Sequence, residues 1–389
     1  MKIAVLGASC TQFGEHWDKS LRDLLAAAEL QALHDANLNV KDIGAIYTGT
    51  VCAGMVAGQM HVGAMAADIL HSNCASMTIE GACASGGLAL RSGIAALESG
   101  QAEVVLINGV EKMTDVSSAD ITQILVGAAD EEFEHFMGAT FPGLNALITR
   151  SYMNTFELTR HQLASVSVKN HKHAAQNPLA HFQREITISD VINAPMVADP
   201  LTMLDCAPIS DGAASLILST EDFAQHYCRR HRDKKIVYII GSGQGSDSLT
   251  LACREKITEF KATQIAACQA YKLANIERDQ INIVELHDAF SINEIITLED
   301  LGFFPQGQAG LATEQGVTSM GGRLPVNVSG GLKAKGHPVG ASGVAQAYET
   351  VMQLRGLAGK RQVKDAQIGL THSMGGCGTT VVVHIFQKG

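Results

Sequence analysis

The chain has 389 residues and a formal net charge of −10, with 46% hydrophobic and 17% charged residues. Its length exceeds what a single hydrophobic core usually supports, so we expect two domains, and the composition excludes a disordered chain. The acidic balance argues against nucleic acid as a partner, because binding a phosphate backbone requires a basic surface.

The nine cysteines are scattered and form no CxxC pair. The N-terminal residues lack the apolar stretch of a secretory signal, and no apolar run is long enough to cross a bilayer. These features predict a cytoplasmic protein with reduced thiols and no membrane segment, in which most cysteines are small buried side chains.

The two halves of the sequence contain similar segments in the same order. An apolar run ending in glycine opens each half, KIAVLG from Lys2 and KIVYIIGSG from Lys235, and each reads as a buried strand. Alanine-rich segments with helical periodicity follow from Leu21 and from Ile257, and both end in Ala-Asn. Later, each half contains a strand, a glycine-rich turn and another alanine-rich helix. This repetition predicts two copies of one α/β unit, with mostly parallel sheets covered by helices.

The copies differ in length, which locates an insertion in the first copy. We predict an N-terminal domain over residues 1–234 and a C-terminal domain over residues 235–389. The extra length lies at about residues 113–200, a region richer in His, Asn and Phe, and predicts a mostly helical inserted subdomain. The segment AASLILS reads as the last strand of the first copy, and the polar stretch EDFAQHYCRRHRDKK from Glu221 links the copies.

Cys83 lies in TIEGACASGG, between a predicted strand and a helix that begins near Ala84. A cysteine at a helix N-terminus is expected to have a lowered pKa, which favours the nucleophilic thiolate. The glycines permit a tight turn, and the backbone N–H of Cys83 can point at an oxyanion. The alternative is a buried cysteine that only packs against the turn.

Three histidines lie in similar glycine-rich or strand-ending segments. His337, in the tripeptide Gly-His-Pro, sits on a fixed loop where it can act as a base or donate to an oxyanion, and an exposed loop histidine is the alternative. His287 ends a strand in VELHDAF. His372 and Cys377 flank a glycine turn between two predicted strands, a feature that is usually structural.

Together, the segments EGACASGG, PISDGAA, VELHDAF, VNVSGGLKAKGHPVGASG and THSMGGCGTT resemble the ordered motif set of the thiolase superfamily. The motif HDAF in place of NEAF makes the chain similar to the archaeal-type and sterol-carrier-protein-type branch. The resemblance covers the chain from its first strand to its last. It implies the thiolase fold, an α/β fold with two duplicated βαβαβαββ halves packed in αβαβα layers and a mostly helical inserted subdomain.

The resemblance also implies roles for single residues. Cys83 would attack the thioester carbonyl and hold the acyl group, and His337 would activate it and stabilise the oxyanion of the incoming thioester. His287 would hold a water or donate into the same oxyanion hole. The N–H of Cys83 and one from the turn at residues 373–376 would form a second hole.

The sequence departs from the family at the second cysteine, which removes a proton from the acyl α-carbon in many thiolases. Ala289 occupies the place of a cysteine in HDAF, and we align His372 with the cysteine of the C-terminal turn. Three routes for the proton stay open, through His372, through Cys377, or through the histidines of HDAF and GHP together. His135 in the insertion is a further candidate.

Coenzyme A is expected to lie over the insertion as part of the substrate, with no permanently bound cofactor and no metal implied. Ser242 and Gly243 resemble positions that contact coenzyme A in the family. Arg184 and the basic residues of KNHKH, residues 169–173, are candidates for its phosphates, and a solvated charged surface is the alternative.

The leading prediction is acyl-CoA C-acyltransferase activity in lipid metabolism. The reaction would be Claisen condensation or thiolysis of a short-chain 3-oxoacyl-CoA through an acyl-cysteine intermediate. The alternatives are a cysteine-dependent acyltransferase with a different acceptor and a non-catalytic scaffold that binds coenzyme A. The resemblance implies a homodimer or a dimer of dimers, which can work with metabolic partner proteins. Acyl chain length and physiological direction stay open.

Overall fold

The computed structural model describes residues 2–231 and 234–389, whose strands form a nine-stranded sheet and a two-stranded hairpin. The strands are β1 (Ile3–Cys10), β2 (Ala45–Gly49), β3 (Ala75–Ile79), β4 (Val104–Glu111), β5 (Met196–Ala198), β6 (Leu201–Thr202), β7 (Gly212–Ser219), β8 (Val237–Ser246), β9 (Ile283–Glu285), β10 (Ile368–Gly375) and β11 (Thr380–Lys388). The helices are α1 (Leu21–Ala36), α2 (Ala53–Val56), α3 (Val62–Ile69), α4 (Ser85–Glu98), α5 (Ser118–Val126), α6 (Phe141–Phe156), α7 (Arg160–Ala174), α8 (Ile188–Asn193), α9 (Glu221–Arg230), α10 (Lys261–Ala274), α11 (Ser291–Asp300), α12 (Ala309–Glu314) and α13 (Ser342–Arg355).

The large sheet contains the same strand arrangement twice, in the order β3-β2-β4-β7-β1-β8-β11-β10-β9. In the first half, β4 is parallel to β2 and antiparallel to β7, which is antiparallel to β1. In the second half, β10, β9, β11 and β8 repeat these relations. In the second half, the counterpart of β3 is a single parallel bridge between Val284 and Val326. The strand predicted there is therefore much shorter than expected.

Helices cover both faces of the two repeated units. Helices α1 and α3 pack on the outer face of the first half, and α10 packs on β8 and β11 of the second half. Helices α4 and α13 lie between the halves, where α13 contacts strands of both. The predicted αβαβα layering of two duplicated units is therefore confirmed. The expectation of mostly parallel sheets is wrong, because five of the eight strand pairs in the described nine-stranded sheet are antiparallel.

The paired helices α1 and α10 end in the same way. Asn37 and Asn275 follow them in the left-handed conformation, with φ of 49° and 52°. Helix α10 begins at Lys261 rather than at Ile257, where the backbone N–H of Phe260 donates to the Asp300 carboxylate. The chain's repetition therefore extends to helix termination but not to helix initiation.

The region at residues 113–200 is mostly helical, as predicted, and contains α5 to α8 and a short π-helix at Glu131–His135. Helix α9 occupies the first part of the polar stretch that links the copies, and residues 232 and 233 of that stretch lie outside the described residues. Across the described ranges, no helix combines the length and the apolar character needed to cross a bilayer.

Alternating glycines on β8 let α10 lie directly on the strand. A Cβ at these glycines would come within 2.0–2.4 Å of carbonyl oxygens one helical turn apart on α10, and the pairs are Gly241 with Ala270, Gly243 with Ala266, and Gly245 with Ala262. Gly7 on β1 has the same relation to Ala32 on α1, at 2.4 Å. Gly243 is therefore a packing glycine, and its role in binding coenzyme A stays a prediction.

Replacing Gly243 by alanine should destabilise the fold even when no ligand is present. The new methyl group would overlap the Ala266 carbonyl, and over-packing of this kind costs roughly 1–3 kcal/mol. Denaturant unfolding of Gly243→Ala beside Gly14→Ala measures the effect, because nothing lies within 4 Å of a Cβ on Gly14. Equal stability losses in the two variants would contradict the packing role.

Candidate active site

Cys83 lies in a tight turn between β3 and α4. Ala82 has a positive φ of 52°, and its N–H donates to Glu80 Oε1 at 2.7 Å. The Ser85 hydroxyl accepts from the N–H of Gly81 at 2.9 Å and donates to the Ala82 carbonyl at 2.6 Å. A non-glycine residue in the left-handed region is strained, and these bonds hold the strain in place. The turn therefore presents Cys83 at the start of the helix, as predicted.

The orientation of His337 is set by one hydroxyl group. The Ser342 hydroxyl donates its only proton to the Pro338 carbonyl at 3.0 Å, so at 2.7 Å it must accept from His337 Nδ1–H. The second ring nitrogen, Nε2, is buried and has no protein partner. His337 therefore presents an unprotonated Nε2 as a proton acceptor.

The two histidines of the GHP and HDAF motifs meet the cysteine in one place. Cys83 Sγ and a ring nitrogen from each of His287 and His337 all lie within 4.8 Å of one another. The two imidazole rings meet edge to face, with their centroids 5.1 Å apart. Three residues predicted from separate motifs are thus brought together by the fold.

The resting site is neutral, which corrects the lowered thiol pKa expected from the sequence. The pKa of Cys83 is raised to about 12, chiefly by burial and in second place by the Glu111 carboxylate, while the N–H groups of Cys83 and Gly376 offset part of the rise. Burial lowers the pKa of His337 to about 3 and that of His287 well below its ordinary value. Desolvation thus outweighs the helix N-terminus, and a neutral thiol faces neutral imidazoles.

Two backbone donors converge on the sulfur. The N–H groups of Cys83 and Gly376 both interact with the Cys83 thiol. They belong to the start of α4 and to the turn between β10 and β11. Two preorganised N–H groups around a nucleophile can bind the oxyanion that forms when a carbonyl is attacked.

His372 and Cys377 do not lie on the wall of the cavity that contains Cys83. His372 Nδ1 accepts from the N–H of His287 at 3.5 Å, and Nε2 lies 3.0 Å from Thr263 Oγ1, so both ring nitrogens are used. Cys377 is buried, and its sulfur accepts from Asn145 Nδ2 at 3.7 Å. His372 therefore supports the backbone of the HDAF motif away from this cavity wall, and the proton-transfer role predicted for it stays a prediction.

The cavity and its opening to solvent together enclose about 870 Å³, and the wall is mostly apolar, with Leu125, Phe141 and Val339. Sequence reasoning missed Cys206, a further thiol on this wall, and the amide pair of Asn145 and Asn293, joined at 2.9 Å. Only PISDGAA, which follows Cys206 closely, could have drawn attention to this segment.

Buried carboxylates connect the two histidine loops. Asp288, next to His287, accepts from the N–H of Leu332 at 2.7 Å and of Lys333 at 3.3 Å. Glu285 accepts from the N–H and hydroxyl of Ser329 at 3.0 and 2.6 Å. These bonds fix the π-helix Gly331–Lys335, which leads directly into His337.

The other residues predicted from the sequence to contact substrate do not line the cavity that contains Cys83. The Ser242 hydroxyl accepts from Arg91 Nη1 at 2.9 Å and lines a separate cleft beside α4 rather than the cavity that contains Cys83. Its role in binding coenzyme A stays a prediction. His135 pairs with Glu131 at 2.5 Å and is off the cavity wall. Arg184 is exposed beside a cleft in the insertion.

The basic segment KNHKH is largely buried. This differs from both predictions for it, a phosphate-binding site and a solvated charged surface. Lys169 pairs with Glu294 at 3.0 Å and donates to the Val326 carbonyl at 3.0 Å. Burial lowers the pKa of His171 to about 4 and that of His173 to about 3. Of this segment, Lys172 alone is exposed, so the cluster is structural and does not form a phosphate site.

A cysteine at a helix start, two neutral imidazoles and two converging N–H groups define a site for acyl transfer through a cysteine. The chain belongs to the thiolase family. Residues 3–222 match the family model described as thiolase, N-terminal domain, and residues 243–388 match the one described as thiolase C-terminal domain-like. It is therefore an acyltransferase of the thiolase class, as predicted.

Relatives with known names agree with this assignment. The chain is 49% identical to acetyl-CoA acetyltransferase of Methanothermobacter thermautotrophicus, over 99% of both chains. It is 41% identical to acetyl-CoA acetyltransferase of Methanocaldococcus jannaschii, over 98% of both chains. Sterol carrier protein 2 of Bos taurus is 33% identical, over all of this chain and 72% of that protein. The predicted likeness to the archaeal and sterol-carrier-protein branch is confirmed.

Solved structures confirm the fold. The Ltp2–ChsH2(DUF35) aldolase is similar with a TM-score of 0.83 and 26% identity, over 98% of this chain and 97% of that chain. Human mitochondrial 3-ketoacyl-CoA thiolase in complex with CoA is similar with a TM-score of 0.75 and 18% identity, over 100% and 98%. At that identity, the second likeness concerns the fold alone.

Alkylation of Cys83 by iodoacetamide should accelerate continuously between about pH 6 and pH 9. A thiol whose pKa is raised to about 12 gains roughly tenfold in thiolate for each pH unit below that value. Peptide mass spectrometry measures the rate at Cys83, and Cys83→Ala defines the background from other cysteines. A rate independent of pH over this range would reveal a thiolate–imidazolium pair and contradict the neutral site.

Proposed function

We propose that this chain is an acetyl-CoA C-acetyltransferase that condenses two short acyl-CoA molecules, or cleaves the 3-oxoacyl-CoA product, through acyl-Cys83. The observation that carries the proposal is the approach of Cys83 Sγ and nitrogens of His287 and His337 to within 4.8 Å in an apolar cavity. The names of the two archaeal relatives support the acetyl group as the substrate.

In the first half-reaction, the thiol attacks the thioester carbonyl of acetyl-CoA. The S–H proton moves to His337 Nε2, the atom that has no protein partner, and then to the departing CoA thiolate. The carbonyl oxygen becomes negative and is bound by the N–H groups of Cys83 and Gly376. The products are acetyl-Cys83 and free coenzyme A.

In the second half-reaction, an α-proton leaves the second acetyl-CoA, and the resulting carbanion attacks the carbonyl carbon of acetyl-Cys83. The C–S bond then breaks to release acetoacetyl-CoA, and the Cys83 thiolate takes up the abstracted proton. We assign this proton to the pair of His287 and His337, since the ring nitrogens of His372 are occupied and the Cys377 thiol lies off the cavity wall. One imidazole accepts the proton while the other donates to the enolate oxygen. Cys206 is the remaining thiol on the wall and the alternative acceptor.

Coenzyme A is a substrate in this proposal and reaches the cavity past the insertion. Phe141, Pro142 and Asn145 of α6 form part of the cavity wall, so the insertion borders the acyl group. Arg184, exposed on the same insertion, is our candidate for a phosphate contact. No metal or redox step is needed for acyl transfer between thioesters.

Incubation with acetyl-CoA should add the mass of one acetyl group to the intact chain, and Cys83→Ala should abolish the adduct. His287→Ala should still be acetylated but should release acetoacetyl-CoA at least about 100-fold more slowly, a typical contribution of acid–base catalysis. Intact-mass spectrometry and product absorbance measure the two steps. A wild-type chain that forms no adduct with any short acyl-CoA would favour the scaffold alternative. An adduct without acetoacetyl-CoA would favour a different acceptor.

We also propose a homodimer joined along β3, in the cytoplasm. This strand is the edge of the large sheet and is exposed, so its outer backbone groups can pair with a second copy. Met77 on this strand is exposed, as are Met55 and Met60 in the segment between β2 and α3. The strand leads directly into the Cys83 turn, so dimerisation would steady the nucleophile. The matched segments 3–222 and 243–388 support our domain boundary at residues 234 and 235.

Replacing Met77 by lysine should shift the chain from dimer to monomer, because charge on an edge strand opposes pairing. Leu273→Lys is the matched control, since Leu273 is 67% exposed on α10, away from β3. Light scattering after size exclusion measures the mass of both variants. A monomeric wild type, or a dimer that survives in Met77→Lys, would contradict this interface.

A further inference from the structure

The three groups that meet at the acyl-transfer site also have the composition of a metal site. Cys83 supplies a sulfur, and His287 and His337 each supply a ring nitrogen, with all three atoms within 4.8 Å of one another. Sulfur and imidazole ligands suit Zn²⁺ and similar transition metals rather than Mg²⁺ or Ca²⁺, which prefer oxygen.

The geometry needs little adjustment to hold an ion. Zinc binds sulfur at about 2.3 Å and imidazole nitrogen at about 2.0–2.1 Å, so tetrahedral ligand atoms lie roughly 3.3–3.6 Å apart. The limit of 4.8 Å therefore requires shifts of about 1 Å or less, within reach of side-chain rotation. The open cavity leaves the fourth position to water, as in zinc sites with three protein ligands.

His337 is already oriented as a ligand. Its Nδ1–H donates to the Ser342 hydroxyl at 2.7 Å, and Ser342 donates onward to Pro338 at 3.0 Å. A second hydrogen bond of this kind fixes the tautomer of metal-binding histidines. The free Nε2 is an unpartnered polar atom of a side chain that is only 8% exposed, and it lines the cavity beside Cys83.

We propose that Cys83, His287 and His337 form an inhibitory binding site for a soft divalent transition metal, with Zn²⁺ as the best fit. On binding, the Cys83 S–H bond breaks, its proton leaves to solvent, and an S–Zn bond forms. Two imidazole nitrogens and the thiolate displace all but one of the waters on the ion, and nothing is oxidised or reduced. The bound metal removes the nucleophile and both imidazoles from the reaction.

Cobalt substitution tests the site without relying on activity. The full-length chain with Co²⁺ should show a thiolate-to-cobalt charge-transfer band with one cobalt per chain, and added Zn²⁺ should remove the band. Cys83→Ser should lose it, His337→Ala should weaken it, and Cys268→Ser, which changes an exposed cysteine, should keep it. Circular dichroism checks that each variant is folded.

Zinc should also protect Cys83 from iodoacetamide. At a zinc concentration about ten times its Kd, mass action leaves roughly one chain in eleven unliganded and slows alkylation by the same factor. Acetylation with acetyl-CoA should prevent cobalt binding, because a thioester sulfur is no longer a thiolate, and this arm rests on the proposed function.

Two results would overturn the proposal. The first is a folded wild-type chain without a thiolate–cobalt band, and the second is a band that persists in Cys83→Ser. Either result leaves the proposed acyl transfer intact, since acetyl adduct formation on Cys83 is measured separately by mass. Failure of acetylation together with a normal cobalt band would reject the enzyme function and keep the metal site.

Discussion

The two halves of the molecule touch backbone to backbone at their helix starts, and the geometry of the site depends on this contact. A Cβ on Gly86 would lie 2.7 Å from the Gly340 carbonyl oxygen, and a Cβ on Gly343 would lie 2.4 Å from the Gly87 nitrogen. Glycine is therefore required where α4 meets the start of α13. Cys83 and His337 each precede this contact by three residues. Any side chain inserted here would separate the nucleophile from its base.

The buried carboxylate of Glu111 stabilises this contact. Glu111 at the end of β4 accepts from the N–H groups of Gly340, Val51 and Cys52 and from the Thr50 hydroxyl, at 2.8–3.0 Å. A buried carboxylate is costly unless several donors satisfy it, and here those donors come from loops of both halves. The arrangement has an electrostatic consequence, since the same carboxylate raises the pKa of Cys83. The carboxylate that fixes the loops around the site therefore also makes the Cys83 thiol a weaker acid.

The sequence predicted features whose signal is local and failed where the signal depends on a partner far along the chain. Cys83, His287 and His337 lie in glycine-rich or strand-ending words that fix the backbone around them, and the fold brings all three together. Glycines that alternate along β8 fit either contact with a ligand or close packing against a helix, so the sequence alone could not reveal that Gly243 packs against α10. For the basic segment at residues 169–173, the partner Glu294 is visible only in three dimensions.

Strand alternation decides which helix each side chain of β10 meets. On β10, neighbouring side chains point to opposite faces, so an alignment shifted by one residue moves a side chain to the other face of the sheet. His372 reaches Thr263 on α10, whereas Ser373 reaches Gln346 on α13. The proposed mechanism is compatible with a neutral Cys83 thiol that faces neutral imidazoles. In the resting site, the two N–H groups donate to the sulfur. When the thiol attacks, the negative charge forms on the carbonyl oxygen, and the same N–H groups can donate to that oxygen. They therefore stabilise the transition state more than the resting thiol. A thiol with a raised pKa can therefore serve as the nucleophile, because its proton needs to leave only when the substrate provides a place for the charge.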